Sequence, residues 1–342
     1  MRQDLNKFVS SIQKTYGDSK IYRASEAPKV EVIPTGIASL DYKLGVGGIP
    51  RGCVVEIFGR ESAGKTSLSY YLVSEVQKRG GTAGFINLEG NFDPSWANRI
   101  ADVDTARLVV SPANPGMESV QLMGEYVSSN AFDIVVFDSL GAMIGDKEQD
   151  FKEKKQAGGQ SALITHMAKL VMEPAAINQT TVVFLNQVRD VFSAMYPTEE
   201  SPGGHAVKHS AAIRIHLKPG GAKADIVKMP IDDEKEVVVM RRITAHIKKN
   251  KIGAPNKTAA WNFWNYESPE GILGIDRTQD LIDLSMSTGI IEKSGSWYSH
   301  PVLPNGKVHG GAEVTRVLRE DPSAFETVRK ELMRSLTEKN NG

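Results

Sequence analysis

The sequence predicts an α/β protein. A mainly parallel central sheet is covered by helices, with an N-terminal helix-and-strand arm before it and a small α+β module after it. Short runs rich in Val, Ile and Phe recur from about residue 50 to 190, and helical patterns separate them. A glycine-rich turn, Gly59 to Thr66, joins one such strand to one such helix. Alternation of strand and helix favours parallel strands, because each crossover helix covers a face of the sheet.

At the N-terminus, Leu5, Phe8, Val9, Ile12 and Tyr16 share one helical face, and Gly17 is a suitable stop. Residues 3–16 therefore read as a short amphipathic helix. Its stripe must bury against its own core or against another subunit, and the pattern admits both. An arm follows, to about residue 32. From residue 33 the strand-like runs are 53–59, 82–89, 107–111, 132–139 and 180–187, with helical patterns near 65–79, 94–101, 116–129 and 159–177. "AAIRIHLKP" and "EVVVMRRITAHIKKNK" read as strands joined by a turn containing "MPIDDEK", an antiparallel extension of the sheet. After residue 268 the texture changes. A helix over 277–287, a hairpin in "GIIEKSGSWYS" and helices near 311–319 and 322–336 predict a small module over 269–342.

The composition is that of a soluble globular chain: 342 residues, 40% hydrophobic and 24% charged. Lys+Arg and Asp+Glu are both 41, so net charge is zero and any nucleic-acid surface must be local. The single cysteine, Cys53, excludes an intrachain disulfide and fits a reducing cytosol. No apolar run reaches transmembrane length and the first residues lack a signal-peptide core, so a cytoplasmic protein is expected.

Gly59-Arg60-Glu61-Ser62-Ala63-Gly64-Lys65-Thr66 fits G-x-x-x-x-G-K-[ST]. The glycines let successive N–H groups curl around phosphate oxygens, and the following helix adds the positive end of its dipole. The run Gly59–Ser67 is thus the expected phosphate-binding segment. Lys65 would reach the β- and γ-phosphates and Thr66 would bind Mg²⁺. "DIVVFDS" ends an apolar strand in Asp138, which can hold Mg²⁺ through water. In "FINLEGNFD", Glu89 closes another strand. It could orient or deprotonate an attacking water, or it could be a solvated loop acid.

Longer motifs carry a resemblance. "PTGIASLDYKLGVGGIPRGCVVEIFGRESAGKTSL", "DPSWANRI", "FLNQVR", "KKNKIGAP" and "IIEKSGSWYS" resemble the bacterial RecA recombinase family, in order and at nearly the family spacing, over almost the whole chain. The resemblance implies a RecA-like P-loop NTPase core over 33–268, a polymerisation helix and arm over 1–32, and a small DNA-associated domain over 269–342. It implies ATP and Mg²⁺ as cofactors and a homo-oligomeric helical filament. Single-stranded DNA and homologous double-stranded DNA are the implied partners, with single-strand-binding and mediator proteins beside them and no membrane. By resemblance Glu89 is the catalytic carboxylate. Asp93 and Trp96 match adenine-recognising positions, and Tyr266 a further adenine-side position. Lys249 and Lys251 match two lysines that cross to a neighbour's γ-phosphate; from composition alone they read as a solvated basic run. Gln187 matches the γ-phosphate sensor. The loop from Val188 to Gly204 resembles the second DNA-binding loop. There Arg189 suits phosphate, Met195 and Tyr196 suit wedging between bases, and Gly203 and Gly204 suit close backbone approach. The first DNA loop falls near 147–159, and Lys169 matches a DNA-contacting arginine. Lys208 and Arg214 match interface positions, and His209 stands where the family often has an aromatic contact.

The chain departs from the family pattern in places. Asn87 stands where an acidic residue is common, Tyr196 where the family has Phe, and no basic residue occupies 162 or 163. It also ends without a long acidic tail, so the tail's restraint on duplex access is expected to be missing. These departures suit a phage-encoded member, and the expected place of action is the cytoplasm of a bacterial cell or of a phage-infected host. A ring helicase of the same fold and a non-hydrolysing DNA scaffold are the rival readings. "FLNQVR" with its long loop favours a filament over a ring, and Glu89 with the paired lysines argues for hydrolysis.

Overall fold

The computed structural model describes residues 4–17, 21–26, 30–143, 159–191, 198–201, 204–232 and 235–341. The chain forms two compact units, residues 1–31 and 32–342. The first carries helix α1 (Leu5–Tyr16). Asp4 caps it by accepting from the Asn6 amide at 2.9 Å, and Gly17 ends it at φ 92°. No residue of α1 is buried, and Leu5 and Tyr16 are 61% and 65% exposed.

The second unit opens with β1 (Val32–Ile33) and β2 (Ile49–Pro50), an antiparallel pair on either side of α2 (Ala38–Leu44). The alternating region follows as β3 (Val54–Gly59), α3 (Lys65–Lys78), β4 (Ala83–Asn87), α4 (Pro94–Ala101), β5 (Leu108–Pro112), α5 (Met117–Ser128), β6 (Ile134–Asp138), α6 (Gly159–Asn178) and β7 (Thr181–Gln187). A two-stranded ribbon, β8 (Arg189–Val191) with β9 (Thr198–Glu200), precedes α7 (Gly204–Ser210). Then come β10 (Ile213–Pro219), β11 (Ile226–Asp232), β12 (Lys235–Asn250), β13 (Lys257–Trp264) and β14 (Gly274–Ile275). The C-terminal module holds α8 (Arg277–Thr288), β15 (Glu292–Ser294), β16 (Trp297–Ser299), β17 (Lys307–His309), α9 (Gly311–Glu320) and α10 (Pro322–Asn341).

One sheet unites ten of these strands in the order β5-β4-β6-β7-β3-β10-β12-β13-β14, with β11 also on β12. From β5 to β10 the pairing is parallel; β12, β13 and β14 then alternate in direction. The central strands are mostly apolar because both faces are covered. Val55, Ile57, Val183 and Leu185 pack with Leu68 and Leu72 of α3 on one face. Val54, Val182, Phe184 and Phe137 pack with Met123 of α5 and Met167 of α6 on the other.

The predicted α/β fold, with its antiparallel extension and small terminal module, is present. One local expectation is corrected. Met229 to Asp232 do not form the turn between two strands; they belong to β11, which pairs with the first half of β12. Asp232 stands opposite Lys235 at the end of this pairing. Valines in the first half of β12 offer a paired edge, so "IVKMPID" extends rather than turns. The sequence reading also passed over β13, although Ala259, Trp261 and Phe263 alternate inward with the period of a strand.

The C-terminal module has its own apolar cluster, in which Leu281, Ile282, Val314, Leu318, Val328 and Leu332 meet Ala38 of α2. Two carboxylates are buried where α2 meets it. Asp41 accepts from the Thr35 amide at 2.7 Å, and Asp280 from the Ser39 amide at 3.0 Å. Burial pushes Asp41 up to about 7 and Asp280 up to about 6. Both bind protons more tightly folded than unfolded. Their stabilising contribution is therefore full below about pH 4 and is lost as pH rises through 6 and 7. The steepest loss is about 1.4 kcal/mol per pH unit for each group. Thermal melts between pH 5 and 8 should show Asp41→Asn with a flatter pH dependence than the wild type; equal slopes would refute the assignment.

Candidate active site

The carboxyl ends of β4, β6, β7 and β3 lie side by side, the edge where open α/β sheets hold ligands. β3 ends at Gly59, where β10 passes so near that a Cβ would sit 2.4 Å from the Leu217 carbonyl oxygen. The chain turns through Arg60, Glu61, Ser62 and Ala63 and enters α3 after Gly64, at φ 86°. The first helical bond runs from the Leu68 amide to the Gly64 carbonyl at 2.9 Å. The amides of Lys65, Thr66 and Ser67 therefore lie outside the helix's ladder and are available to an anion.

Lys65 is buried, and its ammonium donates to the Gly59 and Arg60 carbonyls at 3.1 and 2.9 Å. Burial holds it below the ordinary lysine value, while Asp138, Glu89 and Glu61 pull the other way. The Thr66 hydroxyl donates to Asp138 Oδ2 at 2.9 Å. Asp138 is itself buried, and burial, aided by the charge of Glu89, holds its carboxyl up at about 6 against the Thr66 hydrogen bond and Lys65. Two hard oxygens beside a second carboxylate suit Mg²⁺, which keeps several waters and takes few protein ligands. Thr66 and Asp138 would hold it, and bound there it would neutralise phosphate charge.

Glu89 lies just past β4 in a turn pinned to β6: the Leu88 amide donates to the Asp138 carbonyl at 2.7 Å. Asn87 steadies the same turn by accepting from the Gly90 amide at 3.2 Å. Glu89 Oε1 accepts from Ser139 Oγ at 2.5 Å and from Gln187 Nε2 at 3.3 Å, and Oε2 accepts from Asn91 at 3.3 Å. Lys65, Thr66, Glu89, Asp138 and Gln187 thus converge at one edge. Sequence reasoning missed Ser139 and Asn91, whose hydroxyl and amide aim the Glu89 carboxylate. The signal for Ser139 was its place directly after Asp138 at the end of an apolar strand.

The remaining expected residues are dispersed. Asp93 caps α4, accepting from the Trp96 amide at 3.0 Å, and Trp96 packs half-buried on the main core. Tyr266 is exposed beyond β13, and among the described residues no ring contact joins it to Trp96. Lys249, on β12, donates to the Lys208 and His209 carbonyls at 2.6 and 3.0 Å, at the C-terminal end of α7. Lys251 is exposed just past β12. Lys169 is exposed on α6, Arg189 opens β8 opposite Glu200, and Gly204 begins α7. Met195, Tyr196 and Gly203 lie outside the described residues, as does most of the first loop over 147–159.

A family model described as the RecA N-terminal domain matches residues 3–268. The chain belongs to the RecA family. It is 35% identical over 340 residues to Protein RecA of Oleidesulfovibrio alaskensis, covering 98% of this chain and 92% of the relative. It is 33% identical over 336 residues to Protein RecA of Thermus thermophilus, covering 97% and 94%. With Protein RecA of Nitratidesulfovibrio vulgaris it shares 37% over 329 residues, covering 95% and 87%. RecA membership makes this chain a RecA-type recombinase, a DNA-dependent ATPase at the level of the family, and implies nucleotide binding with Mg²⁺. No helix among the described residues is long and apolar enough to cross a membrane.

Proposed function

We propose that this chain is an ATP-dependent homologous recombinase that forms a helical filament on single-stranded DNA and catalyses homology search and strand exchange with homologous duplex. One observation carries the reading. Gln187 contacts the carboxylate of Glu89 and is followed, after Val188 alone, by the ribbon that opens the expected DNA loop. A single side chain therefore touches the hydrolytic acid and borders the DNA-binding segment.

Within this reading Lys65 and the α3 amides grip the phosphates, and Thr66 and Asp138 hold Mg²⁺. Glu89, oriented by Ser139 and Asn91, takes a proton from the attacking water. Asp93, Trp96 and Tyr266 flank the base. Lys249 and Lys251 reach the γ-phosphate of a neighbouring subunit, so hydrolysis requires assembly. Lys169, Arg189, Met195, Tyr196, Gly203 and Gly204 meet DNA. Residues 1–32 dock on the neighbour, 33–268 form the ATPase core and 269–342 the DNA-associated module. The exposed stripe of α1 supports the docking role, since apolar side chains at this spacing favour a partner surface.

Electron microscopy on single-stranded DNA with a slowly hydrolysed ATP analogue tests the reading. Continuous helical filaments are expected. Closed hexameric rings would replace the recombinase by a helicase of the same fold.

A further inference from the structure

Glu56 is a carboxylate in the middle of β3, the central phosphate-loop strand, and it is 0% exposed. Its neighbours Val54, Val55 and Ile57 show what the position ordinarily holds. A buried carboxylate needs partners, and a well-packed apolar pair would serve stability at least as well. The partners of Glu56 lead in two directions. Oε1 accepts from Asn186 on β7 at 2.9 Å, and Asn186 directly precedes Gln187. Oε2 accepts from Arg214 Nε on β10 at 2.5 Å.

Arg214 is held on three sides. Its Nε meets Glu56, its face lies 4.7 Å from the Phe58 ring centre, and its Nη2 donates to the buried Ser201 hydroxyl at 3.0 Å. Ser201 is where the chain returns from the β8–β9 ribbon. In register, Arg214 stands between Glu56 on one side and Lys249 on the other. Lys249 grips the Lys208 and His209 carbonyls. A row of charged side chains across three strands, one acid and two bases, thus holds Ser201 through Arg214 and the Lys208 and His209 carbonyls through Lys249.

We infer that Glu56 is a positioning residue. By fixing Arg214 it sets where the DNA loop returns to the sheet, and through Asn186 it ties that return point to the strand carrying Gln187. The inference rests on the reading of residues 188–204 as the DNA loop. Glu56 itself is wholly buried and acts through its neighbours. The row holds the two ends of the loop in one frame, with Asn186–Gln187 at its exit and Ser201 at its return.

Hydrogen exchange and ATPase measurements on Glu56→Gln, Ser201→Ala and the double variant test this. Glutamine keeps the shape and removes the charge that holds Arg214. Without DNA or nucleotide, the amides of Val207 to Ser210 should exchange about tenfold faster in Glu56→Gln. The ATP KM should stay within about twofold, while the single-stranded DNA needed for half-maximal ATPase rises about tenfold. The double variant should be no worse than the weaker-binding single variant, because both break one linkage. Unchanged exchange overturns the clamp. Faster exchange with unchanged DNA half-saturation, or single effects that multiply in the double variant, overturns the coupling. Should Glu56→Gln not fold, Glu56→Gln with Arg214→Gln leaves no unpaired buried charge and must show the same faster exchange. A wild-type protein whose ATPase ignores DNA would sink the functional reading, while the exchange result would still decide the clamp.

Discussion

Glu89→Gln should bind nucleotide as the wild type does and turn it over about 10²–10⁴-fold more slowly, the usual contribution of a positioned general base. Glutamine fills the same space and can still accept from Ser139 and Gln187, so the turn from Leu88 to Gly90 should keep its geometry. Only the proton acceptor is lost. Lys65→Ala should fail earlier. Its ammonium sits within the turn that leads to the helix amides expected to take the phosphates, on the Gly59 and Arg60 carbonyls. Calorimetry should register no nucleotide binding by Lys65→Ala, and single-turnover assays should separate binding from hydrolysis in Glu89→Gln. Wild-type turnover in Glu89→Gln would remove Glu89 from catalysis.

A second large effect is expected at Lys249 and Lys251. If they serve a neighbouring subunit, loss of either should lower DNA-stimulated ATPase by about 10³-fold, as for other cations supplied in trans. Each variant subunit should still bind nucleotide. Mixing Lys65→Ala subunits with Lys251→Ala subunits should restore part of the activity at mixed interfaces. No recovery at any ratio, with co-assembly demonstrated, refutes the trans role. The two lysines should differ in one respect. Lys249 also secures the end of α7, so Lys249→Ala should loosen that helix in the isolated subunit. Lys251 is exposed, and Lys251→Ala should leave the isolated subunit's melting unchanged.

The sheet from β3 to β7 was legible because each strand is a largely apolar run with a clear end, and those from β3 to β6 are followed by a helical period. The phosphate turn and Asp138 were legible for the same reason: their chemistry follows from their place at strand ends. β11 and β13 were harder to read. β11 contains Pro230, Lys228 and Asp232, which weaken a strand signal, and only pairing with β12 makes it extended. Glu56 was visible as one acid inside "CVVEIFG", but its purpose was not. Arg214 is 158 residues away and Asn186 is 130, and sequence gives no measure of such proximity. The aiming of Glu89 by Ser139 is hidden in the same way, since the two are 50 residues apart.

The joint between β7 and β8 has a kinetic meaning. Val188 is the sole residue between Gln187, the last of one strand, and Arg189, the first of the next. A long linker would absorb a displacement at the sheet edge in its own torsions and deliver little of it. A joint of one residue has only its own φ and ψ in which to lose it, so a shift at Gln187 would reach the ribbon with less loss than through a long linker. The reverse also holds. Bending of the ribbon would bear on the residue whose side chain contacts Glu89.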